Sequence, residues 1–294
     1  MSPPPSEAGP GTQVLADVET RLESLEVDGR KVLVASAGAR TGAAVVYLHG
    51  LCDVHALVPP EPLTPFVAGL AAGRRVVFPA LPGYPGSDPL GRFHDVEDYV
   101  FHLGDLVQAL ELGGGDLALV GHSIGGWLAA ELALRRPELV ARLVLLAPLG
   151  LHVPGAEVPP VFGSLAPRGL GGLDEPRRML FGDADGAAAT AALPDAMTED
   201  QQLRWFGGLA GAAALGWKAP HFQSRRLAAR LHRIAAPTLL VCGGRDRLVP
   251  GPVSRAWAES LPHAELVQVP EAGHAIVLEH PELSQGVETF LGRQ

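Results

Sequence analysis

The chain has 294 residues, 47% hydrophobic and 19% charged, with a formal net charge of −9, an ordinary balance for a globular protein long enough to bury a substantial core. An acidic surface argues against nucleic acid and anionic membranes as partners, since both recruit basic surfaces. The N-terminus lacks the basic-then-apolar pattern of a secretory signal, no stretch approaches the ~18 apolar residues of a membrane span, and two cysteines, Cys52 and Cys242, are too few for a disulfide framework, so a reducing cytoplasm is the expected compartment.

Residues 1–13, M-S-P-P-P-S-E-A-G-P-G-T-Q, have the proline and glycine content of a disordered tail. Two strand-like runs, Arg21–Val27 and Lys31–Ala35, flank Asp28-Gly29-Arg30, and Asp-Gly between such runs is a strong hairpin signal. Ala43–Leu48 reads as a buried strand ending at His49-Gly50-Leu51-Cys52. A helix from about Leu63 to Gly73 and a strand at Arg75–Ala80 follow, the latter closing in the stiff loop Leu81–Asp88. Val96 to Leu112 is amphipathic, with Val96, Tyr99, Val100, Leu103, Leu106, Val107 and Leu110 on one face.

Leu117–Val120 is a short unbroken apolar run, as in a strand buried on both faces of a parallel sheet. Gly121-His122-Ser123-Ile124-Gly125 then spells G-x-S-x-G, and a helix-forming stretch starts by Trp127. A strand that turns this sharply into a helix holds the serine in a cramped backbone, and side chains two positions either way would collide. Val140–Ala147 is the next strand. Alternation at this rhythm means a parallel sheet with helices on both faces.

The rhythm breaks over residues 151–236, which hold no convincing strand but carry most of the large aromatics. Thr198-Glu199-Asp200-Gln201 is a capping box for a helix running to about Leu215, and Ser224 is read as capping a second, through Ile234. Strands resume at Thr238–Cys242 and Glu265–Val269, with helices near Val253–Leu261 and Pro281–Leu291. The organisation expected is one sheet domain, residues 14–150 and 237–294, carrying a helical cap at 151–236.

A serine hydroxyl is a poor nucleophile and needs a base and a group to orient that base. Asp246 and His274 each follow a strand, at the end where open α/β sheets place ligands. His263 and His280 lie on or beside helices instead. An oxyanion needs two N–H donors, which Ile124 and Leu51 are placed to supply. His49 is read as bracing that loop beside Gly50, and His122 as structural beside the serine.

The chain resembles α/β-hydrolase fold serine hydrolases from about Arg21 to Leu291, through H-G-L-C, L-P-G-Y-P-G-S-D, G-H-S-I-G-G, P-T-L-L-V-C-G-G-R-D-R-L-V-P and G-H-A-I-V-L-E-H-P-E. The resemblance implies an eight-stranded, mostly parallel sheet, a cap inserted after the sixth strand, and the chain order Ser123, Asp246, His274. It implies hydrolysis of a small to medium, largely apolar carboxylic ester, with no cofactor and no metal. A second reading is C–C bond hydrolysis of dienoic ring-cleavage products, though that subfamily's Asn before the nucleophile is His122 here and its Trp after the histidine is Ala275. A third, from another class, is a ligand receptor that keeps the three residues and signals through its cap. Phe181, Trp205, Phe206 and Trp217 are candidate substrate contacts, set against plain packing of cap helices. No acidic residue occurs from 201 to 245, whereas Arg204, Lys218, Arg225, Arg226, Arg230 and Arg233 do. They read as a solvated face, or as a source of one cation for a substrate carboxylate. A monomer or homodimer is expected.

Overall fold

The computed structural model describes residues 18, 20–39, 43–51, 53, 64–89, 91, 93, 95–112, 115–159, 162 and 173–293. The expected N-terminal tail and Cys52 lie outside them. Strands β1 (Thr20–Val27) and β2 (Arg30–Gly38) form an antiparallel hairpin. Its two turn residues, Asp28 and Gly29, have φ of 51° and 69°, the paired positive values of the type I′ turn that matches strand twist.

Strands β3 (Ala44–Leu48), β4 (Arg75–Pro79), β5 (Leu117–His122), β6 (Val140–Leu146), β9 (Thr238–Gly243) and β10 (Ala264–Val269) complete one eight-stranded sheet in the order β1-β2-β4-β3-β5-β6-β9-β10. The pairings β1–β2 and β2–β4 are antiparallel and the rest parallel. Position in that order explains the patterning. β3, β5 and β9 are buried along their whole length and read as continuous apolar runs, while the edge strands β1 and β10 are mostly exposed, β1 carrying Arg21, Glu23 and Glu26 and β10 Glu265.

Helices α1 (Pro65–Ala71), α2 (Val96–Ala109), α3 (Ile124–Arg135), α7 (Gly251–Ser260), α8 (Ile276–Glu279) and α9 (Leu283–Leu291) accompany the sheet. The start of α2 is set by a capping box: Asp95 accepts from Glu97 and Asp98 N–H groups, and Asp98 accepts from the Asp95 N–H.

Between β6 and β9 come β7 (Gly150–Leu151), α4 (Asp174–Leu180), α5 (Ala187–Ala192), α6 (Glu199–Gly216) and β8 (Gln223–Ser224). The capping box at Thr198 and Gln201 starts α6 as expected. Two expectations need correction. The insertion does contain strand, since β7 and β8 pair in parallel; two residues are too few to give an apolar run. Ser224 caps no α-helix through Ile234: it lies in β8, and a 3₁₀ helix spans Ala228–Arg233, burying Leu227, Leu231 and Ile234 with a tighter turn.

The insertion rests on the sheet's C-terminal rim at two places. A Cβ on Gly211 would lie 2.7 Å from Tyr84 in the loop after β4, so α6 approaches that loop only because the residue is glycine. Farther along, Leu180 C=O accepts from Ala275 N–H at 2.7 Å, in the loop after β10. No helix among the described residues is long and apolar enough to cross a membrane.

Candidate active site

Ser123 sits between the last residue of β5 and the first of α3 with φ 56° and ψ −116°, a region that side chains rarely occupy and that costs about 1–3 kcal/mol. Crowding by the flanking glycines enforces it. A Cβ on Gly121 would lie 2.4 Å from Gly125 O, and one on Gly125 would lie 2.0 Å from Leu48 O. The strained turn lifts the serine off the strand and sets it at the start of a helix, where Ile124 N–H lies in the first turn and has no intrahelical acceptor.

Asp246 and His274 arrive from adjacent loops. Gly244 N–H donates to Val269 O at 2.8 Å and Arg245 N–H to Ala272 O at 2.9 Å, which sews the turn after β9 to the turn after β10. Asp246 Oδ1 accepts from the Leu248 and Val249 N–H groups at 2.8 and 2.7 Å, leaving Oδ2 to accept from His274 Nδ1–H at 2.9 Å. That bond fixes the tautomer, so Nε2 accepts from the Ser123 hydroxyl at 2.7 Å. Ser123 and His274 are 2% and 1% exposed. Excluding water at this line strengthens every electrostatic contact in it.

The structure therefore brings together the three residues expected to act as a unit. Gly50 also lies against them: a Cβ there would meet Ser123 Cβ at 2.7 Å and His122 Nδ1 at 2.9 Å. Leu51 follows, buried, at the bend after β3. His49 donates from Nδ1 to Gly50 O at 2.8 Å and accepts from Leu81 N–H at 3.1 Å on Nε2, linking the loops after β3 and β4.

Two acids that no sequence pattern marks complete the site. Asp53, 1% exposed, accepts from Gly50 N–H at 2.6 Å and from the Tyr47 hydroxyl, and meets His122 Nδ1 at 3.1 Å. Burial pushes its carboxyl pKa up, but its electrostatic contact and hydrogen bond with His122, together with the Tyr47 hydroxyl, outweigh burial and hold it at about 2. Glu279 accepts from Gly182 and Gly273 N–H groups, each at 2.8 Å, clasping the insertion to the turn that carries His274. Asp53 follows Gly50 by three residues and Glu279 lies five residues after His274, but nothing local marks either as a contact of the site.

The aromatics of the insertion divide. Phe181 and Trp205 are each 1% exposed, whereas Phe206 and Trp217 are 49% and 68% exposed; Trp217 stacks edge-on against Phe162 with ring centres 4.6 Å apart. Arg204 is taken up by an ion pair with Asp200. Lys218, Arg225 and Arg226 line a cleft of about 380 Å³ beside Trp127. Cys242 is a buried free thiol whose pKa burial raises to about 11.

Residues 45–283 match the model of a family described as the alpha/beta hydrolase family. The chain is 32% identical over 235 residues to a pimeloyl-[acyl-carrier protein] methyl ester esterase of Aromatoleum aromaticum, covering 75% of this chain and 87% of that one. It is 30% identical over 227 residues to a 2-hydroxymuconate semialdehyde hydrolase of Pseudomonas sp., covering 72% and 74%. The solved carboxylesterase CesB of Bacillus subtilis superposes with a TM-score of 0.74 at 21% identity, covering 96% and 95%.

Proposed function

The chain belongs to the alpha/beta hydrolase family, and from that premise we propose that it is a serine hydrolase cleaving a small to medium, largely apolar carboxylic ester. Ser123 Oγ attacks the ester carbonyl while His274 Nε2 takes its proton, and Asp246 stabilises the imidazolium that forms. The N–H groups of Leu51 and Ile124 bind the oxyanion, each such donor being worth ~3–4 kcal/mol in the transition state. Collapse of the tetrahedral intermediate breaks the C–O bond, and His274 returns the proton to the leaving alcohol. Water, deprotonated by the same imidazole, then releases the acid from the acyl-enzyme and regenerates the serine. In this reading residues 151–236 form a cap on a core built from 14–150 and 237–294. Phe181, Trp205, Phe206 and Trp217 are its candidate substrate contacts.

The observation that carries the proposal is the unbroken line Asp246–His274–Ser123, with contacts of 2.9 and 2.7 Å, ending on a serine held at φ 56°. It is tested by fluorophosphonate labelling and by turnover of p-nitrophenyl esters of graded acyl length. Labelling and turnover are expected in the wild type and absent in Ser123→Ala. Equal turnover by that variant would remove Ser123 from the role.

The likeness to a 2-hydroxymuconate semialdehyde hydrolase supports a second reading, C–C bond hydrolysis of a dienoic ring-cleavage product. His122 and Ala275 stand where that subfamily's pattern has Asn and Trp, which ranks it below ester cleavage. Turnover of a dienoate at a kcat/KM above that of every ester in the panel would reverse the ranking.

A further inference from the structure

We propose that Asp53 and His122 form a buried carboxylate–imidazolium pair that positions the oxyanion loop and the His274 turn around Ser123, an inference that rests on the hydrolase reading above. The contacts of three buried histidines at this site assign their protons. His274 donates from Nδ1 to a carboxylate and meets on Nε2 a hydroxyl that can donate to it, so no contact requires a second ring proton. His49 donates from Nδ1 to a carbonyl and accepts on Nε2 from a backbone N–H, so it is neutral.

His122 differs. Its Nε2 meets the backbone carbonyl oxygen of His274 at 2.8 Å, and its Nδ1 meets Asp53 Oδ1 at 3.1 Å. A carbonyl oxygen only accepts, so Nε2 carries a proton. Two donors already reach Asp53, the Gly50 N–H on Oδ1 and the Tyr47 hydroxyl on Oδ2, and hydrogen bonds to its oxygens favour the ionised carboxylate, so the proton shared with Nδ1 sits on the ring. Nδ1 is therefore protonated as well, and the ring is an imidazolium. The downward displacement of the Asp53 pKa agrees with an ionised partner. Among the described residues, Tyr47, His49, Tyr84, Ser123 and the His274 ring, its centre 5.4 Å from that of His122, are titratable or polar groups around the pair.

The placement explains what such a pair would do. The oxyanion loop follows β3 and the nucleophile follows β5, neighbouring strands whose spacing the ladder sets. His274 lies beyond β10, at the far edge of the sheet and three strands from β5, so no ladder hydrogen bond joins its strand directly to that of Ser123. His122 Nε2–H ties the His274 peptide to the end of β5, and Asp53 Oδ1 ties the Gly50 peptide to the same imidazole. One charged pair holds all three parts, by charge-assisted bonds that are stronger than neutral ones. Asp53 and His122 are thus positioning residues, as neither reaches the reacting atoms.

Two measurements test the pair. In ¹⁵N-histidine-labelled protein, both ring nitrogens of His122 are expected to stay protonated well above the ordinary histidine pKa of about 6.5, and Asp53→Asn is expected to strip the Nδ1 proton. A neutral His122 ring in the wild type overturns the proposal, and this readout holds whether or not the protein hydrolyses esters; absence of ester turnover in the wild type would instead strike the hydrolase reading. Kinetically, His122→Gln can place an amide N–H near the old Nε2, whereas His122→Asn reaches only the Asp53 side. His122→Asn is expected to lower kcat about 100-fold with KM changed less than about threefold, and His122→Gln to recover to within about tenfold of wild type, since small displacements of reacting groups cost factors of this size. Equal kcat in the two variants overturns the positioning role, as does a kcat loss that merely tracks loss of thermal stability.

Discussion

Replacing Asp246 by asparagine changes one atom at the point where His274 receives its orientation. Asp246 Oδ1 is committed to two backbone donors, Leu248 and Val249 N–H, at 2.8 and 2.7 Å. An asparagine keeps its carbonyl oxygen there, because turning the amide would aim N–H groups at N–H groups. Its NH₂ then faces His274 Nδ1, 2.9 Å away in the native pair, and forces that nitrogen to become an acceptor. The ring proton moves to Nε2, which meets Ser123 Oγ at 2.7 Å and can no longer accept from it. The base is lost while the geometry survives. By analogy with the same change in a protease triad the expected fall in kcat is about 10⁴, or about 5 kcal/mol of transition-state stabilisation. Steady-state turnover of a p-nitrophenyl ester, with the thermal midpoint as a folding control, reads it. An Asp246→Asn enzyme within tenfold of wild type at unchanged stability would refute the tautomer reasoning and the base assigned to His274.

Ser123→Gly is expected to raise stability by about 1 kcal/mol in urea unfolding, since glycine accepts φ 56° without strain, while abolishing fluorophosphonate labelling; a destabilised variant would count against strain at the turn. In Gly273→Ala the new Cβ would sit 2.4 Å from Gly182 N and 2.5 Å from Phe181 C, so the turn carrying His274 must shift. A kcat loss of about 100-fold is expected, and wild-type kcat would show that the two segments part freely. His102, buried with neither ring nitrogen hydrogen-bonded, has its pKa lowered to about 4, chiefly by burial. The unfolded chain takes up this proton first as pH falls, so stability is whole above about 6.5 and is lost progressively down to about 4, by about 3 kcal/mol. His102→Leu is expected to remove that share of the acid limb in urea titrations at pH 7 and 4, and an unchanged limb would contradict it.

The local signals in this chain are strong where neighbours in sequence are also neighbours in space. Asp28-Gly29 specifies its hairpin because the turn needs two positive φ values in a row. Gly121 specifies the sharp bend at Ser123 because it approaches the Gly125 backbone within a single strand-turn-helix unit, while Gly125 itself approaches Leu48 on the neighbouring strand. The continuous apolar runs of β3, β5 and β9 announce strands covered on both faces, and from their alternation with helices the parallel sheet follows. Asp246 and His274 are legible as residues that follow strands, which places them on the sheet's rim before their separation is known.

What the tertiary structure alone decides is where distant segments meet, because that depends on packing between elements and leaves no periodic trace. Asp53 looks like any loop acid until Gly50, Tyr47 and His122 close around it. Glu279 looks like a surface residue of a short helix until Gly182 and Gly273 point their N–H groups at it. The insertion's aromatics are alike in sequence, and only the packing of α6 against Tyr84 and of α4 against the His274 turn separates buried Trp205 and Phe181 from exposed Phe206 and Trp217. Single elements are governed by the backbone preferences and apolar periodicity of a few consecutive residues. The protonation and register of the site are governed by contacts between segments up to 152 residues apart, which no local pattern encodes.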